Sequence, residues 1–157
     1  MNKKLEAWEI EERLRFYLTA KQHRFVLKNF YIRHWECDVF SVSAHGVTNE
    51  YEVKVTLADY KRDQRKNCGD ENKHALIQEG KRVNKFWYVI PSTWSVEVPE
   101  YAGVLHYWQD DNDSHIHIRK IKEAKMLHNG KLSEDIKLLY NIALKCYYRM
   151  LSLQGKK

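Results

Sequence analysis

Cysteine is scarce: three stand in 157 residues, at Cys37, Cys68 and Cys146. They are odd in number, widely spaced and form no Cys-x-x-Cys pair, which argues for reduced thiols and against a zinc centre or disulfide framework. No apolar run is long enough to cross a bilayer, and the opening MNKKLEAWEIEERL has none of the order of a secretion signal. A soluble, cytoplasmic protein with no membrane partner is therefore expected. A glycine-rich phosphate loop, a Gly-x-Ser-x-Gly elbow and an internal repeat are all missing, so nucleotide hydrolysis of the P-loop kind is excluded.

What is present suits one globular domain over residues 1–157, with 43% hydrophobic and 31% charged residues. A net charge of +6 fits a polyanionic partner, although a modest basic excess also keeps proteins dispersed.

The most informative stretch runs from Trp35 to Asp63. Trp35 to Ser43 and Glu50 to Thr56 are rich in β-branched and aromatic residues, and the connection Ala44 to Thr48 suits a hairpin. Alternation along a strand puts Glu52 and Lys54 on one face and Tyr51, Val53 and Val55 on the other. With the turn centred near His45 or Gly46, Asp38 falls opposite Glu52 or Lys54 respectively. Either register leaves Asp38 on their face, and a slip of one residue would remove it. Glu36 shares that face.

Two neighbouring carboxylates repel, and a divalent cation between them relieves this. Magnesium or manganese suits hard oxygen donors and completes its shell from water and phosphate. Asp38 and Glu52 are the expected metal ligands, with the Val53 carbonyl as a third. An ammonium at Lys54 would orient an attacking water or offset negative charge building on phosphorus oxygens.

Around this hairpin the pattern predicts helices over Lys3 to Lys21, from Leu57 with Thr56 as cap, over Lys73 to Val83, and after a Ser133 cap. Strands are expected at Arg24 to Arg33, Lys85 to Pro91, Gly103 to Trp108 and His115 to Ile121. The polar patch from Asn67 to Asn72 should interrupt the chain between two helices. The acidic turn from Asp110 to Asp113 lacks the glycine and distant glutamate of a calcium loop. His115 and His117 share a face, without a third metal ligand placed nearby by sequence. The helix leaving the Glu52 strand carries Lys61, Arg62, Arg65 and Lys66, close to where a phosphate would bind.

Asp38 with Glu52-Val53-Lys54 across a hairpin resembles the PD-(D/E)XK nuclease superfamily. The run EVKVTLADYKRD, followed by KFWYVIP and VPEYAGVL, is similar to its MmcB-like branch, and the likeness extends through Lys125 to Leu132. There the Glu-x-Lys strand leads into a helix with an Ala-Asp-aromatic step and a second aspartate, here Ala58, Asp59, Tyr60 and Asp63.

The resemblance implies a restriction-endonuclease-like α/β sandwich, with a mixed central sheet flanked by helices in an αβββαβ core plus extra strands and a C-terminal helix. It implies metal-dependent cleavage of DNA in repair or phage-type processing, with Asp38, Glu52 and Lys54 as the catalytic set. It also places a Lys-His pair, Lys73 and His74, on a helix overlooking the site, where both would contact the DNA backbone or the histidine would shuttle a proton. In some relatives a first-helix glutamate joins the metal site, which nominates Glu9 or Glu12. The alternative is a nuclease-fold module that binds DNA or a partner without cutting. Staggered double-strand cuts call for two sites, so a homodimer stays open.

Overall fold

The computed structural model describes residues 5–32, 35–110 and 114–154. It is an α/β structure whose mixed six-stranded sheet is flanked by helices. Helix α1 (Ala7–Ala20) is followed by strands β1 (Arg24–Ile32), β2 (Trp35–Val42) and β3 (Thr48–Val53). Then come α2 (Leu57–Asp63), the short strands β4 (Asn67–Cys68) and β5 (Glu71–Asn72), α3 (Lys73–Gln78), β6 (Lys85–Pro91), β7 (Gly103–Gln109), β8 (Ile116–Lys122) and α4 (Ile136–Gln154).

In space the strands run β1-β2-β3-β6-β7-β8. The pairs β1/β2, β2/β3 and β7/β8 are antiparallel, whereas β3/β6 and β6/β7 are parallel. The parallel centre follows from the crossover through α2 and α3, which returns the chain to the same edge in the same direction. Interior β6 reads KFWYVIP and is buried along its middle, as a strand covered on both faces should be.

Ile10, Leu14 and Leu18 lie on the buried stripe of α1 and pack on Val39, Tyr51, Val53, Trp87 and Val89. The other sheet face is covered in two parts. Phe86, Tyr88 and Ile90 meet Tyr60, Leu76 and Ile77, while Phe40 and Val42 meet Leu138 and Ile142 of α4. Adjacent residues of β3 therefore serve different layers, with Tyr51 facing α1 and Glu52 facing away from it.

The β2/β3 register pairs Phe40 with Glu50 and Val42 with Thr48, centring the turn on His45. Gly46 closes it at φ +79, in the left-handed region open to glycine. Helix α3 is shorter than expected, ending at Gln78 because Gly80 adopts φ +68 two residues later. At the last helix, the side chain of Ser133 lies outside what is described, as do the acidic-turn residues Asp111 to Asp113. Asp135 Oδ1 accepts the Leu138 N–H at 2.9 Å and starts α4. Among the described residues, no helix is long and apolar enough to cross a membrane.

Candidate active site

At the C-terminal end of β3 the antiparallel pairing brings Asp38 beside Glu52. The Val53 N–H donates to Asp38 Oδ2 at 2.7 Å, fixing the carboxylate across the two strands. Because a residue's N–H and C=O face the same neighbouring strand, the Val53 carbonyl is turned toward β2 as well. Asp38, Glu52 and Lys54 thus share one face, as the alternation predicted.

Two more side chains arrive from the crossover. Thr56 caps α2, its side chain accepting the Asp59 N–H at 3.1 Å, and the helix then presents Asp59 and Asp63 one turn apart. Asn72 caps α3 by accepting the N–H groups of His74 and Ala75, which sets Lys73 at the helix start, pointing inward.

The result is a buried ion cluster. Lys54 Nζ donates to Glu52 Oε2 at 3.0 Å and lies 3.6 Å from Asp63 Oδ1 and 3.7 Å from Asp59 Oδ2. Lys73 Nζ donates to Glu52 Oε1 at 2.8 Å and to Asp63 Oδ1 at 2.9 Å. Tyr88 OH donates to Asp63 Oδ2 at 2.6 Å, and His74 Nε2 lies 3.1 Å from the same oxygen. Since a carboxylate can only accept, His74 Nε2 carries a proton toward Asp63, and Nδ1 lies 2.6 Å from Tyr101 OH.

These contacts set the electrostatics. Burial pushes Asp63 upward, but the His74 hydrogen bond and the Lys73 and Lys54 charges outweigh it and hold the acid well below its usual range. Burial likewise opposes ionised Glu52, and Lys73 and Lys54 overcome it. Burial also works against both charged lysines, yet the acids hold them above their ordinary value, Glu52 contributing most in each case. Asp38 behaves oppositely. Burial and the Glu52 charge push it up to about 7, against the pull of the Val53 N–H and Lys54. The cluster thus holds firmly ionised acids beside one carboxyl that keeps a proton near neutrality.

Lys61, Arg62, Arg65 and Lys66 line a groove of about 580 Å³ together with Lys54, Asp59 and Asp63. Lys61, Arg62, Arg65 and Lys66 are themselves exposed. The expectation for Lys73 and His74 needs correcting. Lys73 is 0% exposed and His74 is buried, so neither is presented to a DNA backbone. Lys73 is the counter-ion of Glu52 and Asp63, and His74 steadies Asp63. Glu36 is exposed.

On α1, Glu9 accepts the Glu6 N–H at 3.0 Å, and Glu12 accepts from Arg15 at 3.0 Å and pairs with Lys28 of β1 at 3.6 Å. The glutamate whose charge reaches Asp38 is Glu11, which pairs with Lys28 at 3.4 Å. Sequence reasoning also missed Asp63 as the hub. The signal was present in the Asp59/Asp63 spacing of one helical turn just after Lys54.

Among the described residues, no group of three or more His, Cys, Asp or Glu is placed to hold a metal. The expected donor set is smaller, two carboxylates and a carbonyl, and its chemistry fits a hard divalent cation. Burial and the Glu52 charge raise Asp38 to about 7, and a cation between the two carboxylates would offset that repulsion and favour the ionised acid.

A scan against protein-family models and a search of curated proteins each give no match. A solved structure of a protein of unknown function from Silicibacter pomeroyi superposes with a TM-score of 0.70 at 16% identity, over 97% of this chain and 94% of that one. At that identity the likeness shows a shared fold.

Proposed function

We propose that this chain is a metal-dependent DNA nuclease of the PD-(D/E)XK type, with a restriction-endonuclease-like core. The observation that carries the reading is the convergence of Asp38, Glu52 and Lys54 on one face, at the edge of a groove lined by Lys61, Arg62, Arg65 and Lys66. Magnesium or manganese held by Asp38, Glu52 and the Val53 carbonyl would supply Lewis-acid polarisation of the phosphodiester and an acidified water.

The chain's own residues do the rest. Lys54, anchored by Glu52 and flanked by Asp59 and Asp63, offers an ammonium to the attacking water or to charge developing on phosphorus oxygens. Lys73 and Asp63 keep Glu52 and Lys54 from moving, which preserves geometry through the reaction. The exposed cations on and just after α2 hold phosphates without reading bases.

A second reading, a nuclease-fold module that binds DNA without cutting, is favoured by one feature: both Glu52 oxygens are taken by lysines, at 2.8 and 3.0 Å. Incubation with magnesium or manganese and single-stranded, nicked, branched and linear duplex DNA separates the two. Cleavage by the wild type, absent in Asp38→Ala and Lys54→Ala, supports the nuclease. Salt-sensitive binding with no cleavage of any substrate supports the module.

A further inference from the structure

A further cavity lies on the opposite face of the sheet from this cluster. Its volume is about 660 Å³, within the range of small-molecule sites. Tyr51 and Trp87 form its floor, their rings nearly parallel at 17° with centroids 6.0 Å apart. Leu18 and Leu105 extend the floor, and Tyr17 and Ile118 stand at the side. Tyr51 neighbours Glu52 in β3, so strand alternation alone separates this cavity from the candidate active site.

The rim is basic. Lys21, Lys85, Arg119 and Lys120 surround the opening together with His23 and His45, against one acid, Glu123. That acid bridges two of the lysines, accepting from Lys85 Nζ at 2.7 Å and from Lys120 Nζ at 2.6 Å. It is about half exposed and sits at the mouth, where an incoming anion can take its two partners. His23, whose Nδ1 is 2.7 Å from Ser41 Oγ, is held below its ordinary value chiefly by burial and secondarily by the Lys85 charge. An apolar aromatic floor under a rim of cations is complementary to a ring that carries a phosphate.

We propose that this cavity binds a nucleoside monophosphate, its phosphate displacing Glu123 from Lys85 and Lys120 and its base lying over the Tyr17, Trp87 and Leu105 surface. The site is independent of the nuclease reading and uses none of its residues.

Calorimetric titration of the full chain with the 5′-monophosphates of adenosine, guanosine, cytidine and uridine tests it. At least one should bind in the micromolar to low-millimolar range. Lys85→Ala and Lys120→Ala should each weaken that binding about tenfold or more, and Glu123→Gln should tighten it severalfold by removing the internal competitor. Asp38→Ala should leave it unchanged. Circular dichroism of each variant confirms that it is folded. Failure of all four nucleotides to bind overturns the proposal, as does binding indifferent to Lys85, Lys120 and Glu123. Inorganic phosphate binding as tightly as the nucleotides overturns the assignment of the aromatic floor.

Discussion

Asp38→Asn should stabilise the protein, by an amount that grows as pH rises from about 4 and levels off near about 7. In the folded chain burial and Glu52 raise this carboxyl from 3.8 to about 7. Each pH unit is worth about 1.36 kcal/mol, so the ceiling is about 4 kcal/mol. Side-chain relaxation and water at this half-buried position bring the expected value to about 1 to 3 kcal/mol. The folded acid keeps its proton to a higher pH than the unfolded one. Folding therefore takes up a proton between about pH 4 and about pH 7, and wild-type stability falls as pH rises through that window. The substituted amide would not titrate, yet its carbonyl oxygen could still accept the Val53 N–H. Urea unfolding at about pH 3.5, just below the unfolded value, and about pH 8 should show the two proteins nearly equal at the lower pH and Asp38→Asn ahead at the higher. Manganese should raise the wild-type midpoint at about pH 8 and leave Asp38→Asn unmoved. A difference between the two proteins that does not change with pH would refute the reasoning.

Lys73→Met should cost about 3 to 5 kcal/mol, since it leaves Glu52 and Asp63 buried with one counter-ion fewer; adding Glu52→Gln should recover part of that loss in denaturant titrations, and strict additivity would count against the bridge. Replacing Lys61, Arg62, Arg65 and Lys66 together by alanine should reduce the slope of log affinity for duplex DNA against log salt by up to about 3 to 4, read by fluorescence anisotropy, with an unchanged slope excluding the groove as the backbone contact. Gly103→Ala would bring a methyl to 2.3 Å from the Trp87 ring, and the forced shift should lower stability by about 1 to 3 kcal/mol. A neutral result in thermal unfolding would mean that the ring yields freely.

Much of the fold is legible in the sequence because its signals are local. Strand β6 has the expected bounds, since an apolar run stopped by proline has one simple reading. The hairpin is legible through parity alone: any register that keeps Asp38 beside Glu52 or Lys54 gives the same face, and the turn at His45 selects Glu52. Helix α1 begins later than its periodicity suggests, with its end bonded at Glu6 and Glu9. Helix α3 stops before its apolar pattern does, because the left-handed backbone at Gly80 overrides the period. The burial of Lys73 is not legible from its surroundings. A lysine opening a polar helix reads as solvated, and what draws it inward is a pair of carboxylates from β3 and α2, brought together only by the parallel crossover. His74 is hidden for the same reason, its partners Asp63, Tyr88 and Tyr101 being scattered along the chain.

The excursion between Asp63 and Lys73, ten positions apart in sequence, departs from and returns to a single knot of charge, like a clasp fastened at both ends. In the small β4/β5 ribbon between them, Asn72 serves that fastening as the cap of α3, whereas the turn at Gly69 and Asp70 bears no part of it. Lengthening or recomposing that turn would therefore leave Lys54 and Glu52 where they stand, so this loop is free to vary in length while the charge knot keeps its geometry.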